Sequence, residues 1–110
     1  MHLPRCEDVL ISKEKLLNYV LSETHSTGRF KAKFFHKVGF TKTKVDLLEQ
    51  TLRKIARVEA VKEEIMSEYG VKYVIDGEIN APVGKTVKVR TIWIVEKGQT
   101  RLRFVTVYPV

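Results

Sequence analysis

Lys85-Thr86-Val87-Lys88-Val89-Arg90-Thr91-Ile92-Trp93-Ile94-Val95 (residues 85–95) is the stretch on which the fold turns. It is rich in β-branched residues, and polar and apolar side chains alternate along most of it, which is the signature of a strand. Val87, Val89, Thr91, Trp93 and Val95 fall on one face of an extended chain; Lys88, Arg90, Ile92 and Ile94 fall on the other. Residues 71–79 alternate in the same way, and the loop between the two runs holds Pro82 and Gly84. Downstream, residues 96–100 with Gly98 make a hairpin connection to a last strand over 101–108. Strict alternation predicts that Leu102, Phe104, Thr106 and Tyr108 share one face of it, with Pro109 ending the pairing. Residues 61–67, followed by the turn pair Tyr69-Gly70, supply a fourth strand.

Before residue 60 the period changes to that of helices. Ser12 is placed to cap a first helix running to about residue 21, with Leu16, Leu17, Val20 and Leu21 as its stripe. A polar loop over 22–28 leads to a second helix from Arg29 to a stop at Gly39. Lys31, Phe34, Phe35 and Val38 form one side of it, and Arg29, Lys33 and Lys37 another. A third helix starts near Thr43, where Thr43 and Asp46 resemble a capping box, and buries Val45, Leu48, Leu52 and Ile55. Helices followed by sequential hairpins define the expected class: α+β, with N-terminal helices packed on a four-stranded antiparallel β-sheet. We expect a single domain over 1–110, helical over about 12–60 and sheet over about 61–109. One sheet face should be covered by helices, leaving the other, or a cleft at its edge, to bind something.

With 44% hydrophobic and 30% charged residues, the chain can bury one modest core and is not a disordered segment. Its lone cysteine, Cys6, excludes an internal disulfide or a cysteine metal cluster. No apolar run approaches the about 18 residues of a membrane span, and residues 1–11 lack a signal-peptide core. The expected setting is a reducing cytoplasm. The net charge of +7 is uneven: residues 28–60 carry +6 and 85–110 carry +5, whereas 61–84 carry −3. Clustered positive charge attracts polyanions by releasing their counterions.

Nucleotide-binding and metal chemistry are both poorly served. Gly84-Lys85-Thr86 echoes the end of a phosphate loop, but it lacks the upstream glycine and a following helix. His2, His25 and His36 are far apart with no acidic cluster around them, so neither a metal nor a cofactor is expected. What remains is a histidine with cations and hydroxyls. His25 precedes a helix N-terminus, whose unpaired amides suit a phosphate, and Arg29 and Lys31 lie in the first turn. Lys31 shares its stripe with Phe34 and Phe35, which sends its ammonium out beside the core. Thr106 and Tyr108, two apart on a strand, point the same way. Each also has a plain structural role available: a loop histidine, a snorkelling lysine, a strand turning to solvent.

Three motifs occur together: His25-Ser26-Thr27-Gly28-Arg29-Phe30-Lys31-Ala32 leading to Val38-Gly39-Phe40, then Val89-Arg90-Thr91-Ile92-Trp93-Ile94, then Val105-Thr106-Val107-Tyr108-Pro109. In their order and spacing the chain resembles, from about residue 16 to 109, an uncharacterised domain family found at the C-termini of bacterial polymorphic toxins and as small stand-alone proteins. That family is similar to the barnase–EndoU–colicin D–RelE group of ribonucleases, whose members pack N-terminal helices on a four-stranded antiparallel sheet and cleave RNA without metal. Two positions depart from its pattern: Ser26 stands where proline is expected, and Leu102-Arg103-Phe104 where Pro-Arg-Leu is expected.

The resemblance implies a metal-independent endoribonuclease of toxin type. It assigns His25 as the proton-transfer group, Arg29 or Lys31 as the cation, and Thr106 with Tyr108 as strand hydroxyls. Attack by a 2′-hydroxyl would leave a 2′,3′-cyclic phosphate. Arg90, Arg103 and Trp93 are the expected RNA-binding residues, the arginines for phosphates and the indole for stacking on a base. Expected partners are RNA, tRNA included, and an acidic antitoxin or immunity protein. The rival readings are a non-catalytic RNA-binding module and an interaction protein of a toxin–antitoxin or toxin–immunity pair.

Overall fold

The computed structural model describes residues 9–17 and 29–110, with residues 29–32 described by their backbone alone. Its elements are α1 (Lys13–Lys15), α2 (Arg29–Lys37), a 3₁₀ turn (Lys42–Lys44), α3 (Val45–Val58), and strands β1 (Glu63–Ser67), β2 (Gly70–Asn80), β3 (Thr86–Glu96) and β4 (Arg103–Pro109). The strands form one antiparallel meander in the order β1-β2-β3-β4. This is the α+β arrangement that the two periodicities predict.

The helix boundaries have local causes. Ser12 caps α1 by accepting from the Lys15 amide at 3.2 Å. After α2, Gly39 takes φ +101°, and a Cβ there would stand 2.9 Å from Pro82 Cβ, so the position requires glycine twice over. The turn swings Phe40 back onto Phe35, ring centroids 6.3 Å apart, and both rings are buried. The expected capping box at Thr43 and Asp46 does not form. The Thr43 hydroxyl is hydrogen-bonded to that of Thr41, Asp46 pairs with Lys13, and the chain enters α3 through the 3₁₀ turn instead.

One face of the sheet carries the core. Leu48, Leu52, Ile55 and Ala56 of α3 bury against it, and α3 comes so close to β2 that a Cβ on Gly77 would lie 3.2 Å from Ile55. From the strands come Ile75, Ile79, Val89, Trp93, Phe104 and Val107. Thr91 is buried among them with its hydrogen bonds made: it donates to the Ile75 carbonyl and accepts from the Trp93 indole, both at 2.8 Å. A short N-terminal segment joins the far edge. Leu10 bridges Arg103 in parallel, donating to Leu102 O at 2.8 Å and accepting from Phe104 N at 2.9 Å. Its neighbours Val9 and Ile11 are thereby driven into the core.

One sequence-based expectation about β4 is overturned. The register runs Ile92↔Thr106 and then Trp93↔Phe104, so Val105 is an extra residue, a β-bulge. Leu102 and Phe104 are buried before the bulge, and Val107 after it. Thr106 and Tyr108 therefore do not share a face with Leu102 and Phe104; the bulge moves them to the face away from the helices.

Candidate functional site on the open sheet face

Among the described residues, no helix packs on the face away from α3, where Val74 and Ile94 are nevertheless buried; this face presents side chains in rows, because paired residues of neighbouring strands stand side by side. One row is Asp76–Arg90–Tyr108, and the next is Val74–Ile92–Thr106. A third, Lys72–Ile94–Arg103, lies toward the hairpin ends. The arginine of the first row is held by a two-pronged ion pair: Arg90 Nε donates to Asp76 Oδ1 at 2.7 Å and an Arg90 terminal nitrogen donates to Oδ2 at 3.0 Å. Lys62, just before β1, donates to the same Oδ2 at 3.0 Å. Tyr108 is hydrogen-bonded to Arg90 from the other side.

These contacts set the charges. Hydrogen bonds from Arg90, and then from Lys62, hold the Asp76 carboxyl at about 2 against partial burial, which opposes the shift. The same carboxylate, together with Tyr108, pushes the Arg90 pKa up. Two cations and one anion leave this row and its flank net positive. A planar guanidinium is thus fixed in orientation beside two hydroxyl side chains, which suits a phosphoryl group better than a mobile lysine does.

A pH prediction follows from Asp76. Its folded-state value lies below the ordinary 3.8, so its contribution to stability is complete above about pH 4 and lost as pH falls through about 2. The carboxylate is 32% exposed, and solvent screening limits the loss to about 1 kcal/mol. In Asp76→Asn, the stability deficit against wild type should be constant above pH 5 and shrink below pH 4, as followed by urea unfolding across pH. A deficit that does not change with pH would remove the ion pair from the account.

Of the residues singled out from sequence, Arg90, Thr106 and Tyr108 are brought together here. Arg103 lies on the same face in the third row, engaged with Glu96 at 2.8 Å. Trp93 is a correction: it is fully buried, its indole edge-on to Phe104 at 5.4 Å and its N–H bonded to Thr91, so it offers no face to a base. Arg29 and Lys31 lie at the start of α2, whose Phe35 and Phe34 pack on the core while Lys33 and Lys37 are exposed, and their own side chains are outside the described structure. His25 lies outside the described residues. Asp76 and Lys62 are site residues that the sequence reading missed. An acid inside an otherwise β-branched run was the available signal, and its meaning needs the β2–β3 register.

Among the described residues, no group of three or more His, Cys, Asp and Glu side chains is placed to hold a metal ion. No described helix is long and apolar enough to cross a membrane.

No curated protein matches the chain. Among solved structures, the fold is similar to that of a chain in a contact-dependent growth inhibition toxin – immunity protein complex from Klebsiella pneumoniae 342. The two share 16% sequence identity with a TM-score of 0.74, over 91% of this chain and 98% of that one. At that identity the likeness is one of fold. The model of a family described as a domain of unknown function, DUF6883, matches residues 2–110, and the chain belongs to that family.

Proposed function

We propose that this chain is a toxin-type domain that cuts RNA without a metal ion, acting in the cytoplasm, and that the open sheet face receives the substrate. The observation that carries this reading is the row in which Arg90, oriented by Asp76, meets Tyr108, with Thr106 one row away on a chain of net charge +7. The fold it shares with a chain of a toxin–immunity complex supports the toxin setting, and with it an acidic immunity protein or antitoxin as partner.

In the proposed reaction the 2′-oxygen attacks the adjacent phosphorus. Its proton passes to a base, the bond from phosphorus to the 5′-oxygen breaks, and that oxygen takes up a proton. The products are a 2′,3′-cyclic phosphate and a free 5′-hydroxyl. His25 is the proton-transfer group and Tyr108 its partner. Thr106 donates to the phosphoryl oxygens, while Arg29 or Lys31 balances the growing negative charge. Arg90 and Arg103 hold neighbouring phosphates. DNA, which lacks the 2′-hydroxyl, is spared.

The test is incubation with total tRNA and with mRNA in EDTA, followed by end-group analysis. Fragments ending in 2′,3′-cyclic phosphate support the proposal. Binding without any cleavage overturns it in favour of a non-catalytic RNA-binding module. Thr106→Val keeps the β-branched shape of a half-buried strand residue and removes its hydroxyl. It should slow cleavage at least about 10-fold while the unfolding midpoint stays near wild type; an unchanged rate would take Thr106 out of the mechanism.

A further inference from the structure

Most of the net charge of +7 does not sit on the open sheet face. There Arg90 and Lys62 share Asp76, Arg103 holds Glu96, and Lys88 stands opposite Glu78, so cations and acids nearly balance. The excess lies in stretches that contain no Asp or Glu: residues 24–45 and residues 79–95. The fold brings parts of the two together at the β2–β3 end of the sheet. The Val83 amide of the β2–β3 loop donates to Val38 O at 3.3 Å, and Gly39 is packed against Pro82. Ala81 N donates to Lys85 O at 2.8 Å to close that loop, and Lys44 N donates to Thr41 O at 2.9 Å in the turn after Gly39.

Lys37 at the end of α2, Lys42 and Lys44 in the 3₁₀ turn, and Lys85 beside the loop are all exposed here. Among the described residues, none of the four makes an ion pair. Asp46, the next acid along the chain, is taken by Lys13. The counterions of these ammonium groups therefore come from solvent, and a polyanion that displaces them gains by their release.

We infer that these four lysines form a second contact surface for RNA, one that grips the phosphate backbone of a base-paired stem beyond the nucleotides being cut. The inference rests on the RNA reading of the open face. Lysine is a mobile point charge that suits phosphate, whereas protein interfaces are depleted in it and centre on aromatic or arginine anchors. An acidic protein is thus the poorer occupant. Phe35 and Phe40, which flank these positions, are buried and offer no platform for unpaired bases. Backbone contact without stacking is the way paired RNA is held. The spacing fits too. At about 3.3 Å per residue, Lys85 lies about 17 Å along β3 from Arg90, within reach of a stem that adjoins the cleaved strand.

The probe is a hairpin RNA with a single-stranded tail, compared with the tail alone, both 2′-O-methylated so that binding is read without cleavage. Anisotropy titrations in EDTA over a salt series give affinity and its salt dependence. The wild-type chain should bind the tailed stem at least about 10-fold more tightly than the tail. Lys42→Gln, Lys44→Gln and Lys85→Gln together should weaken stem binding at least about 10-fold and lower the slope of log affinity against log salt by about 2. A charge-matched control, Lys54→Gln, Arg57→Gln and Lys97→Gln, removes three cations away from this end and should lose far less. Native Trp93 fluorescence checks that both variants are folded. Equal weakening by the two variants makes the effect one of net charge and overturns the inference. So does polyglutamate that outcompetes the stem at equal charge, which would assign the lysines to an acidic protein. Cleavage of the unmodified tail by the wild-type chain reports on the open face separately. If it proceeds while the stem adds no affinity, the open-face reading stands and the lysine surface alone falls; if neither is seen, both fall.

Discussion

Replacing His25 with alanine is expected to slow RNA cleavage by about 10²–10⁴-fold, the usual loss when a general acid or base is removed, while RNA binding stays near wild type. The asymmetry is the substance of the prediction. On the proposed reading, attraction of RNA rests on the many cations of a chain with net charge +7, and losing one side chain barely alters that field. Moving the 2′-hydroxyl proton depends on one group in one place. Lys33, exposed on α2, serves as the control, and Lys33→Ala should change the rate by less than about 2-fold. Single-turnover cleavage and filter-retention binding separate the two quantities. If His25→Ala cleaves at the wild-type rate, the imidazole has no chemical part. If Lys33→Ala is as slow as His25→Ala, the assignment of working faces on α2 fails. The geometry makes a further demand: Thr106 and Tyr108 stand on the face away from the helices, so the imidazole must reach that face to act with them.

Trp93→Ala should cost about 3–5 kcal/mol of stability, a large share of the about 5–15 kcal/mol that holds a typical domain together. Trp93 is fully buried at the centre of β3, edge-on to Phe104. Truncation leaves a cavity and also strips the Thr91 hydroxyl of the N–H it accepts. Urea unfolding followed by far-UV circular dichroism measures the loss, since the variant has lost the chain's one tryptophan. The result distinguishes the core role from the stacking role suggested by sequence. A stacking platform would lose about 1–3 kcal/mol of RNA affinity per base and keep its unfolding midpoint. A core side chain loses the midpoint first.

Much of the architecture was legible before any coordinates. The period-2 runs around residues 71–79 and 85–95 became β2 and β3 almost to the residue, and the stripe Leu48, Leu52, Ile55 became the buried side of α3. The site was legible only in pieces. Arg90, Thr106 and Tyr108 were named from sequence, but with Thr106 and Tyr108 on the same face of β4 as Leu102 and Phe104. Asp76, which orients Arg90, was not named at all. Strand addition by Leu10 was also invisible, because a single bridged residue leaves no periodic trace.

Sequence by itself determined α3, β2 and β3, the order of helices before strands, and the faces of the strands that alternate without interruption. Those properties depend on neighbours a few residues apart, and local pattern records them. Tertiary structure decided where β4 slips by one residue at Val105 and which acid stands opposite Arg90. Both depend on pairing between strands, and a one-residue slip reverses every side chain beyond it at no cost to the local pattern. The bulge thus set two hydroxyls on the face opposite Leu102 and Phe104, and the β2–β3 register joined an aspartate and an arginine fourteen residues apart into one charged row.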